Sequence, residues 1–315
     1  MNGVKGKAVY SYSTKGWESM DSYFPKMGKL IGGLCVLLIL LSSLWLIWTG
    51  ETNIRYSGDH KGTMPFWNKW IPVMVGILLV RFLPFHHKNY NPLQQFEPKR
   101  IMIQAIVLFL SGSLFTISLL TTNFEGMELQ FWFMIFKIIL LLFTPFMLLL
   151  FYKSNSKKER PKSVKAIENN RWYRFTPLIV IIIWGYFNFF STFSTPFVSA
   201  RMEPTVLILI LLVGFLINSV LEEFFYRVWL QTRLELLLGT WPAILLTSLL
   251  WASWHIALHG SGHWDIDTAT VIVNHGIVGL FLGYLWARYR KVWAIIIVHG
   301  LINAHPLQLI EISFT

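Results

Sequence analysis

Long apolar runs alternate with short polar stretches along almost the whole chain. A helix needs about 20 apolar residues to cross a bilayer. On that measure the pattern predicts helices near 29–49, 69–85, 101–121, 130–152, 175–197, 205–235, 241–259, 269–287 and 292–311. The expected fold class is therefore all-α, a polytopic integral membrane bundle of about nine transmembrane helices. The 69–85 run is the shortest and carries Pro72, Arg81 and Pro84. The basic stretch YKSNSKKERPKSVKAIENNRWYR (152–174) divides the pattern. It predicts an N-terminal four-helix region (1–152) of unknown role, a basic cytoplasmic connector (153–174) and a C-terminal five-helix core (175–315).

Composition supports the pattern. The chain is 54% hydrophobic and only 14% charged, against about a quarter charged in soluble domains. Its mean hydropathy is +0.52. The formal charge of +11 would suit nucleic acid if the basic residues formed a patch, but they sit in loops and read as topology signals. Lys5, Lys7, Lys15, Lys26 and Lys29 precede the first run, Lys88, Lys99 and Arg100 follow the second, and Arg288, Arg290 and Lys291 follow the eighth. Loops on the other side hold Glu125 with Glu128 and Asp265 with Asp267. This alternation predicts a cytoplasmic N-terminus. The first apolar run begins near Leu30, after a polar stretch, and reads as a retained helix rather than a cleaved leader. One cysteine, Cys35, allows no disulfide within the chain.

Ionisable groups within a bilayer cost several kcal/mol and mark function unless paired. Four polar clusters break the later apolar runs: Glu222, Glu223 and Arg227; His255 and His259; Asn274 and His275; and His299, Asn303 and His305. Residues four apart share a helix face. Glu223 therefore meets Arg227, while Glu222 points about 100° away and is left free. His299 shares a face with Asn303, and His255 with His259. A desolvated carboxylate can serve as a general base. Glu222 and His255 would activate a water, and His299 with Asn303 would donate to an oxyanion. Together they suffice for amide hydrolysis without a covalent intermediate. No serine lies in a GxSxG turn. Zinc on Glu222, His255 and His299 is the rival use of the same groups, but HExxH is absent.

These residues carry a resemblance. EEFFYR (222–227), WASWH (251–255) and HGLIN (299–303) resemble the EExxxR, FxxxH and HxxxN motifs of the CPBP (ABI) family of intramembrane proteases, which includes the type II CAAX prenyl endopeptidases. Trp251 stands where the family has Phe. The stretch around Gly279 and Gly283 is similar to the family's weakly defined third motif. The resemblance covers about 175–310 and implies a metal-independent glutamic protease with no cofactor. Glu222 with His255 would activate the water, His299 with Asn303 would hold the oxyanion, and Glu223 with Arg227 would support the site. The substrate would be a membrane protein or membrane-associated peptide, with no nucleic acid partner. The alternative is a non-catalytic scaffold or bacteriocin-immunity protein of the same fold. A transporter has thinner support, since no inverted repeat of broken helices is visible.

Residues outside the motifs have plainer readings. His259 reads as structural, Asn274 and His275 as polar glue between helices, and Lys137 as snorkelling to the interface. Trp45, Trp48, Trp67 and Trp70 read as an interfacial belt, and Gly279 with Gly283 as a tight helix contact.

Overall fold

Every apolar stretch predicted as helix carries helix in the computed structural model, which describes residues 24–56, 62–83, 91–93, 96–122, 124–151, 171–199 and 202–313. Lys5, Lys7, Lys15, Pro84, Lys88 and residues 153–170 of the basic connector lie outside the described residues. The helices are α1 (Phe24–Thr49), α2 (Phe66–Phe82), α3 (Pro98–Thr121) and α4, which runs from Gly126–Lys137 through the π-helical Ile138–Phe143 into Thr144–Phe151. After the connector come α5 (Arg171–Phe189), α6 (Pro204–Leu238), α7 (Thr240–His259) and α8 (Trp264–Tyr289). The chain closes with α9 (Val292–Asn303) and α10 (Pro306–Ser313). Helices α1, α3, α4, α6, α7 and α8 are long and apolar enough to cross a membrane. The protein is a polytopic helical membrane bundle.

The boundaries move for local reasons. α5 starts at Arg171, so the last residues of the expected connector are helical, and it stops at Phe189 before the Ser-, Thr- and Pro-rich STFSTPF. The predicted last helix breaks after Asn303, because Pro306 disfavours helical geometry in the residue before it. α8 begins at Trp264, earlier than predicted, and takes Asp265 and Asp267 into its first turn. There the helix dipole favours negative charge. Asp267 also accepts hydrogen bonds from the Ser261 and Gly262 backbone N–H groups. The stretch between α1 and α2 holds a hairpin, β1 (Asn53–Arg55) and β2 (Thr63–Pro65), paired antiparallel with Ile54 opposite Met64. Alternation over three residues is too short to be legible in sequence.

α8 is the most enclosed of the six long helices. It packs against α7 on one side and α2 on another, while α1 lies along α7 and α5 along α2. One cluster of buried side chains takes in Cys35 of α1, Val73 of α2, Phe115 of α3, Leu141 of α4, Trp184 of α5 and Phe281 of α8. The N-terminal helices are thus packed into the same core as the C-terminal ones. α6 divides along its length. Ile208, Leu209, Ile210 and Leu212 face outward, as lipid contact requires, whereas Phe225, Tyr226 and Leu230 are buried. Trp48 stays exposed, as a belt residue would. Trp70 instead turns inward and donates to the Val273 carbonyl at 2.9 Å.

The α7–α8 contact depends on absent side chains. A Cβ at Gly279 would lie 2.8 Å from Ser248 Cβ, and one at Gly283 would lie 3.0 Å from Ile244 Cγ2, both on α7. Both glycines let α7 side chains seat closely against α8, as small residues do between membrane helices. Gly279→Val should therefore destabilise the fold by about 1–3 kcal/mol through overpacking. Thermal unfolding of the purified protein in detergent measures it.

Candidate active site

The motif residues Glu222, Glu223 and Arg227 of α6 lie where the helix changes its winding. Phe215–Val220 and Glu223–Gln231 are π-helical. A π turn bonds each N–H to the carbonyl five residues back, and such turns favour functional sites. Glu222 is 1% exposed and Glu223 fully buried. Buried charges need partners, and each carboxylate has a cation.

Glu223 is paired as its spacing predicts. Arg227 Nη1 lies 3.1 Å from Glu223 Oε1, and the guanidinium sits 4.7 Å from the centre of the Trp251 ring. Glu222 is not free, contrary to the sequence expectation. Lys137 Nζ of α4 donates to its Oε1 at 2.5 Å, and the Trp251 indole N–H of α7 donates to its Oε2 at 2.5 Å. Lys137 also donates to Asn218 Oδ1 at 2.7 Å. It is fully buried, so it does not snorkel. Its ammonium lies 4.2 Å from the centre of the Phe133 ring. Two carboxylates are thus balanced by two cations drawn from two helices.

His299 of α9 joins the carboxylates. Its Nδ1 is 2.7 Å from Glu223 Oε1, and its Nε2 is 3.9 Å from Glu222 Oε2. A carboxylate only accepts, so Nδ1 carries the proton in that contact. The adjacent acids therefore converge on one imidazole, although an ideal α-helix would splay them.

His255 and Asn303 stand one step out. His255 Nδ1 is 3.1 Å from the Trp251 carbonyl, which can only accept, so Nδ1 holds the proton and Nε2 is the free acceptor. The His255 ring stacks on Trp254 and on His275, with centroids 3.6 and 3.7 Å apart. His259 lies 4.8 Å from His275 in an edge contact. Trp251 therefore touches both residues of the predicted water-activating pair, through its indole to Glu222 and its carbonyl to His255. Asn303 does not bond His299; its Nδ2 donates to Ser219 Oγ at 3.0 Å. Ser219 is buried.

Sequence reasoning missed Lys137 and Asn218. The signal was present for Lys137: a lysine deep in an apolar run needs a partner or an exit. Between α4 and α6 lies a groove of about 390 Å³, lined by Gln130, Phe133, Met134, Val213, Gly214 and Asn218 among others. Asn218, one of these lining residues, accepts from Lys137. Among the described residues, no group of three or more His, Cys, Asp and Glu side chains is placed to hold a metal ion.

Trp251→Phe would remove one N–H from a buried carboxylate. It should cost about 1–3 kcal/mol of stability, measured by thermal unfolding in detergent. A neutral result would show that the indole N–H does not hold Glu222.

The family model described as Rce1-like, type II CAAX prenyl endopeptidase Rce1-like, matches residues 204–305. The match spans α6 to α9 and includes every motif residue quoted above. No curated protein and no solved structure is matched by the chain. The C-terminal part of this membrane bundle thus carries an Rce1-like domain, consistent with a CPBP family protease.

Proposed function

We propose that the chain is an intramembrane endopeptidase that hydrolyses a peptide bond of a membrane protein or membrane-associated peptide. The observation that carries this reading is the convergence of Glu222, Glu223 and His299, with Trp251 linking Glu222 to His255. Glu222 and the free Nε2 of His255 take a proton from water. The resulting hydroxide adds to the scissile carbonyl, and the proton passes to the leaving amine as the C–N bond breaks. His299 and Asn303 supply hydrogen bonds to the oxyanion of the tetrahedral intermediate. Glu223 holds His299 by Nδ1, fixing its orientation as the buried acid of a hydrolase triad does, and His299 donates from Nε2 once it carries a proton there. Arg227 neutralises Glu223.

The metal alternative fits the donors less well. Glu222 already gives its oxygens to N–H donors, and His255 Nδ1 is committed to a backbone carbonyl. The organisation proposed with this reading is the four-helix region 1–152, the basic connector 153–174 and the protease core 175–315. Alternation of basic loops supports a cytoplasmic N-terminus. The compact loops and Lys, Ile and Asn usage support a bacterial cell membrane, which favours processing of a bacterial peptide over cleavage of a prenylated CAAX protein. The α4–α6 groove offers an apolar segment a path toward the site.

Comparative peptidomics of cells carrying the wild type and Glu222→Gln tests the reading. Products should disappear in Glu222→Gln, His255→Ala and His299→Ala at normal expression, a loss of about 10²-fold or more. A biological phenotype that persists in Glu222→Gln with no product lost would favour a scaffold. Loss of products on chelation, with stoichiometric zinc in the purified protein, would favour the metal. A Cβ at Gly214 would meet only Asn218 Nδ2, at 3.9 Å, so Gly214→Phe should fold and yet narrow the groove. It should lower the same products; unchanged yields would mean that substrate takes another path.

A further inference from the structure

Lys137 belongs to α4, far outside the matched residues 204–305 and outside every sequence motif. Its side chain nevertheless reaches the carboxylate on which the proposed chemistry depends. Its ammonium donates to Glu222 and to Asn218, at 2.5 and 2.7 Å, and its remaining side faces the Phe133 and Trp254 rings at 4.2 and 4.9 Å. Its environment is complete, and it is built from three helices: α4, α6 and α7.

The other charges near Glu222 are already committed. On α6, Arg227 is paired with Glu223. On α9, His299 gives Nδ1 to Glu223, and its Nε2 stays 3.9 Å from Glu222. On α7, His255 is turned to the Trp251 carbonyl, and Trp251 contributes a neutral donor. Among the described residues, Lys137 is thus the cation within hydrogen-bond distance of Glu222. A buried carboxylate deprived of its counter-charge takes up a proton rather than remain ionised. A protonated Glu222 cannot accept a proton from water.

We propose that Lys137 is a positioning residue of the active site, which keeps Glu222 ionised and aimed from outside the Rce1-like domain. The N-terminal region then completes the catalytic unit rather than merely flanking it. The role in catalysis rests on the reading of Glu222 as the base; the charge-holding role does not.

The test separates the two. Infrared difference spectra of the full-length protein in detergent report a protonated buried carboxyl without any substrate. Lys137→Met should gain such a band, and Lys137→Met/Glu222→Gln should lack it. Lys137→Arg should restore the wild-type spectrum and the Glu222-dependent products, which Lys137→Met should lose by about 10²-fold or more. Absence of the band in folded Lys137→Met, or full product yield from that variant, would overturn the proposal. If Lys137→Met alone does not fold, the charge-neutral double variant decides. Recovery of a cooperative melt there supports the pair, and failure there counts against it. Glu222→Gln with every product retained would instead remove the protease reading while leaving the infrared result to stand on its own.

Discussion

The structure depends on a balance of charge in a place where charge is costly. Each unpaired ion taken from water into a low-dielectric interior costs several kcal/mol even after relaxation. Two acids placed side by side on one membrane helix double that cost, and neither can be left alone. The protein meets it with two cations, Arg227 one turn along the same helix and Lys137 from another helix. The Trp251 indole then takes the other oxygen of Glu222, and the His299 imidazole shares Glu223 Oε1 with Arg227. This fixes more than the site. α4 has to lie against α6 for Lys137 to reach Glu222, α7 has to bring Trp251, and α9 has to bring His299. Positions of four helices are tied to one pair of carboxylates.

Much of the fold was legible because the membrane simplifies it. Backbone polar groups must be satisfied within each segment, so a long apolar run has one solution, a helix. That is why the predicted stretches carry helix among the described residues, six of them long and apolar enough to cross a membrane, despite Pro72 within α2. The ends were less legible, since they depend on local chemistry. Asp265 and Asp267 read as loop residues by their charge, yet their carboxylates suit a helix N-terminus. The hairpin at Asn53–Arg55 and Thr63–Pro65 is held by pairing between segments, which no local pattern encodes.

Within the site, sequence spacing revealed what lies on one helix and little of what passes between helices. The Glu223–Arg227 pair followed from a separation of four and is present. The same rule put His299 with Asn303, and they do share a helix. However, their side chains go to different partners, Glu223 and Ser219. Periodicity specifies a face, not the neighbour that the face meets. Lys137 was misread for the same reason. Snorkelling and burial look identical until the helix opposite is known. Trp251 shows a subtler limit. As a substitute for Phe it keeps an aromatic ring, yet its consequence is chemical, an N–H that Phe lacks, directed at Glu222.

The irregular winding of the helices ties these points together. Among the described residues, π-helical turns occur at Ile138–Phe143, Phe215–Val220, Glu223–Gln231 and Ile272–Gly276. The first begins immediately after Lys137. The second contains Asn218 and Ser219, the third Glu223 and Arg227, and the fourth Asn274 and His275. A regular α-helix presents adjacent side chains about 100° apart, which would send one of two neighbouring acids away from the other's partners. A wider turn changes that angle and shifts everything beyond it, at the cost of less favourable backbone hydrogen bonds. That cost is tolerable where side-chain pairing offsets it, and three of these turns contain polar residues while the fourth begins beside Lys137. The winding and the charge balance are therefore two sides of one arrangement, and neither is readable from residue type without the other.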